Sequence, residues 1–328
     1  MSINSVLPVA YLEAEIGGQV LQFSLATDHV LHIGRSDRSD LVLNDDLASR
    51  SHAMLQQSGD GLVYIADLGS SNGTFVNSVR ISTPIILHPG DRIGVGHHEF
   101  IFHQNMPLDY PGTEQPDGLP STNILVVQSL ITVLVADIRD FTGLSQRMDT
   151  AKLSKLAGTL FRETGKALQA HGAWTQKEIG DAVMAVWLHN RREPEPSDLI
   201  AVLEGLARLA SIAASLQARF DLAAPVRFGA GINTGWASVG NIGSIASSDY
   251  TALGETVNRA FRLESSTKEI CRDLVIGQGT LDYLSRVAPM EAHFTAVTVQ
   301  LKGYSESTTA YTADFASLPV LLESLRGT

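Results

Sequence analysis

Residues 176–187, Gln176-Lys177-Glu178-Ile179-Gly180-Asp181-Ala182-Val183-Met184-Ala185-Val186-Trp187, read as a chain reversal followed by a strand. Gly180 takes positive φ at low cost, so the reversal falls there. The run Ala182–Trp187 carries no charge and fits a buried strand. Lys177 and Asp181 frame the turn. Charges beside a buried sheet need partners or a role, so the pair is a solvated turn, a salt bridge or part of a site. The rest of the chain has to decide among these.

Outward from this stretch the pattern is mixed. A strand over Ile131–Ala136 precedes a helix whose Leu153, Leu156, Leu160, Phe161, Thr164 and Leu168 recur at spacings of three and four. Asp149 or Thr150 caps its start, and Gly172 ends it. After the turn and strand come a loop at 191–197, a second helix over Leu199–Phe220, and strands at Val226–Ile232 and Gly235–Val239. A helix around Glu255–Ser265 and late strands near 274–276, 297–301 and 311–312 complete the set. This is an α+β layout with helices over one face of a mostly antiparallel sheet. It is expected to occupy residues 129–316, with 317–328 as a C-terminal tail.

Residues 8–106 differ. Short β-like runs (30–33, 62–66, 74–76, 85–87, 100–102) alternate with turn clusters such as Ser58-Gly59-Asp60-Gly61 and Gly69-Ser70-Ser71-Asn72-Gly73. No long helical period is present, so an all-β sandwich is expected. A linker, 107–128, separates the two domains; its first part, PLDYPGTEQPDGLPST, is rich in Pro and Gly.

The chain has 328 residues and a formal net charge of −11, which argues against nucleic acid or an anionic membrane surface as partner. Its single cysteine, Cys271, allows no intrachain disulfide and suits a reducing, cytoplasmic setting. The N-terminus lacks the basic-then-apolar order of a signal peptide. The apolar run Ile124–Ile138 is interrupted by Gln128, Ser129 and Thr132 and is too short and polar to span a bilayer, so one or two strands are expected there.

In the sandwich, Arg35 and Arg50 offer forked cations suited to phosphate oxygens. Ser49, Ser71 and Asn72 add neutral donors on turns. The blocks Gly34-Arg35, Ser49-Arg50-Ser51-His52 and Gly69-Ser70-Ser71-Asn72-Gly73-Thr74-Phe75-Val76-Asn77 resemble, in order, the motifs of the forkhead-associated (FHA) domain. The resemblance implies a phosphothreonine-peptide partner, contacted by Arg35, Ser49, Arg50, Ser71 and Asn72. Asn77 would hold the peptide backbone, and His52 would brace the loops from within.

In the second domain, Asp137 ends one apolar strand and Asp181 sits where another begins. Two carboxylates at adjacent strand ends make an oxygen site for Mg²⁺ or Mn²⁺. Asn258 and Arg262, four apart, share a helix face; the first can orient a sugar oxygen, the second meet phosphoryl charge. Together VLVADIRDFTGLS, QKEIGDAVMAVW, GINTGWASVGNIGS and DYTALGETVNRAFRLES resemble the catalytic domain of class III nucleotidyl cyclases, from about 130 to 313. The resemblance implies a ferredoxin-like core and a head-to-tail homodimer with an active site at each interface. Asp137 and Asp181, with the carbonyl of Ile138, would hold two metal ions. Lys177 and Thr251 would read the base, Asn258 the ribose, Arg262 the developing charge, and Lys302 the terminal phosphates. Lys177 with Thr251 favours ATP over GTP, hence adenylate cyclase. A guanylate cyclase and a catalytically silent interaction module are the alternatives. Three departures stand out: Glu178, expected to point away from the base; Gly229, where an Arg is common and Arg227 lies nearby; and Asp140, a third carboxylate close to the first.

Overall fold

The computed structural model describes residues 10–16, 19–25, 30–57, 61–81, 84–105, 127–189, 193–241 and 250–327. The chain divides into two compact units. Most of the expected linker, up to 126, lies outside the described residues, and positions 127 and 128 already belong to a strand.

The N-terminal unit is built of strands β1 (Ala10–Ile16), β2 (Gln19–Leu25), β3 (Val30–Gly34), β4 (Leu41–Val42), β5 (Ala53–Gln57), β6 (Val63–Asp67), β7 (Thr74–Val76), β8 (Val79–Arg80), β9 (Ile85–Ile86), β10 (Arg92–Val95) and β11 (His98–Gln104). They form two sheets, in the orders β2-β1-β11-β10-β7-β8 and β4-β3-β5-β6-β9. The period of two along β11 buries Phe100, Phe102 and Gln104 and leaves their neighbours at least partly open. The buried sides of the two sheets contribute Leu12, Ile33, Leu55, Ile65, Leu87 and Ile93 to one core. This is the β-sandwich expected from the spacing of turns.

The second unit opens with β12 (Val127–Ile138), α1 (Phe141–Arg147) and α2 (Thr150–Ala170). The hairpin β13 (Thr175–Ile179) and β14 (Ala182–His189) follows, then α3 (Pro196–Arg219), β15 (Phe228–Asn241), β16 (Tyr250–Leu253) and α4 (Glu255–Glu269). The last elements are β17 (Leu274–Ile276), α5 (Gln278–Leu284), β18 (Thr295–Val299), β19 (Thr308–Ala313) and α6 (Leu318–Arg326). The sheet runs β13-β14-β12-β15-β17-β19-β18, with β16 beside β15. β14/β12, β13/β14, β17/β19 and β18/β19 pair antiparallel, and β15/β17 parallel. Side chains pointing both ways from β12 are buried, Val133 and Val135 as well as Leu134 and Ala136, which explains its continuous apolar run. Leu134, Ala136, Val183 and Trp187 meet Leu156, Leu160 and Leu168 of α2 and Leu199, Val202 and Leu206 of α3 in one core. By length and composition α3 could cross a membrane, but much of its apolar surface is used in this core.

Three expectations change. Helices cover both faces of the sheet, not one: Ala230 and Ile232 face the core of α2 and α3, while Gly229 and Gly231 of the same strand meet α4. The strands expected at 226–232 and 235–239 are one strand, β15. Gly235 does not interrupt it; a Cβ there would lie 2.8 Å from Thr256 Oγ1, so the glycine serves close packing of the start of α4. The segment read as a tail is a helix, because Leu318, Leu321, Leu322 and Leu325 repeat with helical period and are buried in the same core.

Candidate functional site

The loops of the sandwich are tied to one another before any ligand is considered. The backbone N–H of Arg35 donates to Ser49 O (2.9 Å) and that of Ser36 to Arg50 O (3.1 Å). A Cβ at position 34 would sit 2.1 Å from the Arg50 carbonyl oxygen, so only glycine lets these two arginine-bearing segments run side by side. Arg50 is exposed, and Arg35 is half-exposed with Nη1 3.6 Å from the fully exposed Asp46. Ser49 Oγ accepts from the Ser71 N–H at 3.0 Å, joining the second and third blocks. Asn72 donates to Leu47 O (2.8 Å). Asn77 spends its side chain internally, donating to Asp91 (2.8 Å) and accepting from the Arg92 N–H (3.0 Å).

His52, fully buried, lies beneath these loops. Its Nδ1 accepts from the Ser49 N–H (3.0 Å), so Nε2 carries the proton and donates to Gly73 O (3.1 Å). Burial pulls its pKa below the usual histidine value. Asp67, which sequence reading passed over, is the second brace. It accepts from the backbone N–H groups of Gly69 and Ser70 and from the hydroxyls of Ser70 (2.5 Å) and Thr74 (2.6 Å). The signal was present as an aspartate directly before a Gly-Ser-rich turn.

In the second unit, Ile179 lies opposite Ala182, leaving Gly180 and Asp181 as a two-residue hairpin loop. Gly180 has φ +65° and Asp181 is not left-handed, which fits a type II′ turn with its obligatory first glycine. Asp137, the last residue but one of β12, is opposite Ala182. The hairpin therefore delivers Asp181 to Asp137. Burial first, and then the charge of Asp137, hold the Asp181 carboxyl above the usual range. Asp137 Oδ1 is buried without a hydrogen-bond partner, while Oδ2 accepts from Lys268 Nζ at 2.6 Å. Ile138, next in the chain, is buried.

Two close carboxylates and an orphaned carboxylate oxygen are a donor set suited to a hard divalent cation. Among the described residues no three His, Cys, Asp or Glu side chains converge to hold a metal. The pair would thus need a backbone carbonyl, water or substrate oxygens to complete a shell. Asp140 is not part of the pair: it caps α1 in a left-handed conformation and binds Arg147 at 2.7 Å.

Sequence reading also missed Glu264, Lys268 and Arg139 around these carboxylates. Glu264 is buried and its carboxyl is pushed up to about 7, first by burial and then by Asp137. The hydrogen bond to Asp137 raises the Lys268 pKa. The available signal was the Glu264–Lys268 spacing of four on the helix already singled out. At Gly229 a Cβ would lie 2.7 Å from Arg139 Nη2 and 2.3 Å from Thr267 Oγ1. Arg139, not Arg227, takes the space a side chain at 229 would fill; Arg227 pairs with Asp273 instead (3.0 Å).

The other expected residues lie elsewhere. Asn258 is exposed in the first turn of α4, and Arg262 is half-buried one turn on. Lys302 is exposed in the turn 301–304, where Tyr304 donates its N–H to Leu301 O and its hydroxyl to Glu255 Oε1 (2.7 Å), tying the turn to the same end of α4. Lys268 lies ten residues beyond Asn258, about 15 Å along the helix at 1.5 Å per residue. One chain thus presents Asn258 and Lys302 at the first turn of α4, Arg262 at its middle, and Asp137 and Asp181 beside its last turn. Lys177 is half-buried on the sheet-edge strand β13, opposite Met184; Glu178, next to it, points to the other face. Thr251 belongs to β16, and its side chain lies outside the described residues.

Residues 127–312 match the family model of the adenylate and guanylate cyclase catalytic domain. The match spans more than half of the chain, and the chain belongs to that family. Residues 31–96 match the FHA domain, N-terminal to it. The adenylate cyclase of Anabaena cylindrica is 24% identical over 211 residues, 64% of this chain and 42% of that protein. The FHA domain-containing protein FhaB of Mycobacterium tuberculosis is 42% identical over 64 residues, 20% of this chain and 41% of that one. The crystal structure of the adenylyl cyclase CyaB from P. aeruginosa is 27% identical, with a TM-score of 0.48, covering 57% of this chain and 95% of that one. The chain spans less than half the length of these two curated relatives.

Proposed function

We propose that this protein is an adenylate cyclase that converts ATP to 3′,5′-cyclic AMP and pyrophosphate, and that its FHA domain binds a phosphothreonine peptide. The observation that carries the enzymatic reading is the delivery of Asp181 to Asp137 by the β13–β14 hairpin. These carboxylates, with the Ile138 carbonyl, would hold Mg²⁺ or Mn²⁺. Bound there, such ions would supply Lewis acidity toward the ribose 3′-hydroxyl and positive charge toward the triphosphate. Asn258 orients the ribose so that its 3′-oxygen, its proton released to water, attacks the α-phosphorus in line. Arg262 neutralises the charge that develops there as the bond to pyrophosphate breaks. Lys302 holds the departing phosphates. Lys177 donates to a ring nitrogen of adenine and Thr251 accepts from its amino group, the pairing that favours ATP over GTP.

The two ends of α4 support a head-to-tail homodimer. The carboxylates of one copy would meet Asn258, Arg262 and Lys302 of the other, giving two sites per dimer. Lys177 and Asp181, four residues apart, would then serve different substrate molecules.

On the sandwich, Arg35 and Arg50 supply phosphate-binding cations from loops already braced by His52 and Asp67. Ser49, Ser71 and Asn72 would complete the contacts. Asn77, with its side chain committed to Asp91 and Arg92, would meet a peptide through the shape of its turn or by exchanging those bonds.

Purified protein incubated with ATP, and separately with GTP, in Mg²⁺ or Mn²⁺ tests the reading, with product resolved by chromatography. Cyclic AMP as the main product is expected. Predominant cyclic GMP would overturn the roles of Lys177 and Thr251, and no product from a folded dimer would overturn the enzymatic reading.

A further inference from the structure

We propose that Lys268 is a built-in competitor of the catalytic metal: without metal it neutralises Asp137, and the arrival of a divalent ion moves it one helical turn back onto Glu264. The proposal rests on the reading of Asp137 and Asp181 as metal ligands. Lys268 Nζ lies 2.6 Å from Asp137 Oδ2, the distance of a charge-assisted hydrogen bond. An ammonium and a metal ion cannot both take that oxygen. The pair is partly screened, the lysine side chain being 51% exposed and that of Asp137 15%, and is worth on the order of 1 kcal/mol. Its effect falls on whatever else binds the carboxylate.

Glu264 is the landing place. It precedes Lys268 by four residues, the favourable order for a helical Glu–Lys pair. It is 4% exposed, and its Oε1 is buried without a hydrogen-bond partner. Its own retreat is blocked: a Cβ at Gly231 would lie 2.3 Å from Glu264 N and 2.4 Å from Ala260 O, so α4 is seated directly on β15 at this turn. Arg139 acts electrostatically on both Glu264 and Lys268 but is held away by its bond to Arg272 O (2.8 Å). The lysine stem, flexible over four carbons, is the moving part. Each of its two positions has a carboxyl group, and the arriving ammonium favours the ionised form of Glu264, so the displaced charge is not left bare.

The test is Mn²⁺ binding to the nucleotide-free full chain, followed by the electron paramagnetic resonance of free Mn²⁺. Lys268→Gln is expected to bind roughly twofold to fivefold more tightly than the native chain, the range given by losing one part-exposed ion pair. Lys268→Arg, which keeps a cation, should stay near native. Glu264→Gln should bind roughly threefold more weakly, because Lys268 then has no second partner. In the Lys268→Gln background the same Glu264 change should have no effect. Unchanged or weaker binding in Lys268→Gln overturns the competition. A Glu264→Gln effect that persists without Lys268 overturns the landing place and makes Glu264 only a distant charge. Native affinity in Asp181→Ala overturns the metal site itself, a separate failure.

Discussion

The sandwich and the catalytic domain both display cations and carboxylates near turns, but they arrange them in opposite ways. In the sandwich, Gly34, His52 and Asp67 lock three loops together, so that Arg35 and Arg50 stand on a frame complete within one chain. In the catalytic domain the corresponding side chains are spread along α4, Asn258 in its first turn, Arg262 at its middle and the carboxylates beside its last turn, where Lys268 already occupies one of them. A recognition face can be finished by folding alone. A site split along a helix needs a second copy, and a site filled by its own lysine needs an exchange of partners. This contrast explains why buried polar braces cluster under the FHA loops, whereas beside Asp137 buried oxygens are left without partners.

Several experiments would break or sharpen the contrast. The largest effect is expected from Asp181→Ala, which should lower cyclic AMP formation by about a thousandfold, or about 4 kcal/mol of transition-state stabilisation, with phosphopeptide affinity unchanged. Turnover by chromatography and titration calorimetry measure the two halves. Arg50→Ala should do the reverse. Losing its charge-assisted bonds costs about 1.5–3 kcal/mol, so phosphothreonine-peptide affinity should fall roughly ten- to a hundredfold with turnover unaffected. Fluorescence anisotropy with a phosphorylated and an unphosphorylated peptide checks it.

A smaller effect follows from His52. Its pKa is lowered on folding, so below the unfolded value the unfolded chain binds more protons and folded stability is lost as pH falls. Protonation of Nδ1 also breaks the bond from the Ser49 N–H. Phosphopeptide affinity should therefore hold through the usual histidine range and decline only below it, where the folded protein takes up the proton, more steeply than titration of the phosphate alone explains. A pSer-free control ligand, sulfate competing at the same face, separates the two. The smallest effect is expected at Asp149, whose side chain accepts from the Lys152 N–H at 3.0 Å to cap α2. Asp149→Ala should cost about 1 kcal/mol in denaturant unfolding and leave both sites working.

Much of this was legible in the residues, and unevenly so. The sandwich follows from turn clusters at short intervals, and the turn at Gly180 with the strand after it follows from one glycine before an uncharged run; β13, a largely open edge strand of mostly polar residues, gave no such signal. Leu156, Leu160 and Leu168 announced α2 by their spacing and are buried as that spacing requires. Gly235 misled because a glycine in a strand can mean a break or a close neighbour, and only the position of Thr256 distinguishes them. The last helix was hidden by its nearness to the terminus, since four leucines in nine residues need a core to pack on before they specify a helix. Glu264, Lys268 and Arg139 were invisible as a group because Arg139 lies more than a hundred residues from the other two, and all three from the pairing with Asp137 that gives them a role. Only the seating of α4 on Gly229 and Gly231 brings them to Asp137.

The division of the catalytic site along α4 is tested most directly by mixing two inactive chains. Asp181→Ala lacks the metal end and Arg262→Ala lacks the phosphoryl end, so each alone should be nearly silent. Unfolded and refolded together, or co-expressed, they should recover about a quarter of native turnover, because half of the dimers are mixed and each has one intact site of two. Turnover no higher than that of either variant alone, with mixed dimers shown by mass spectrometry, would contradict the division and place a whole site within one chain.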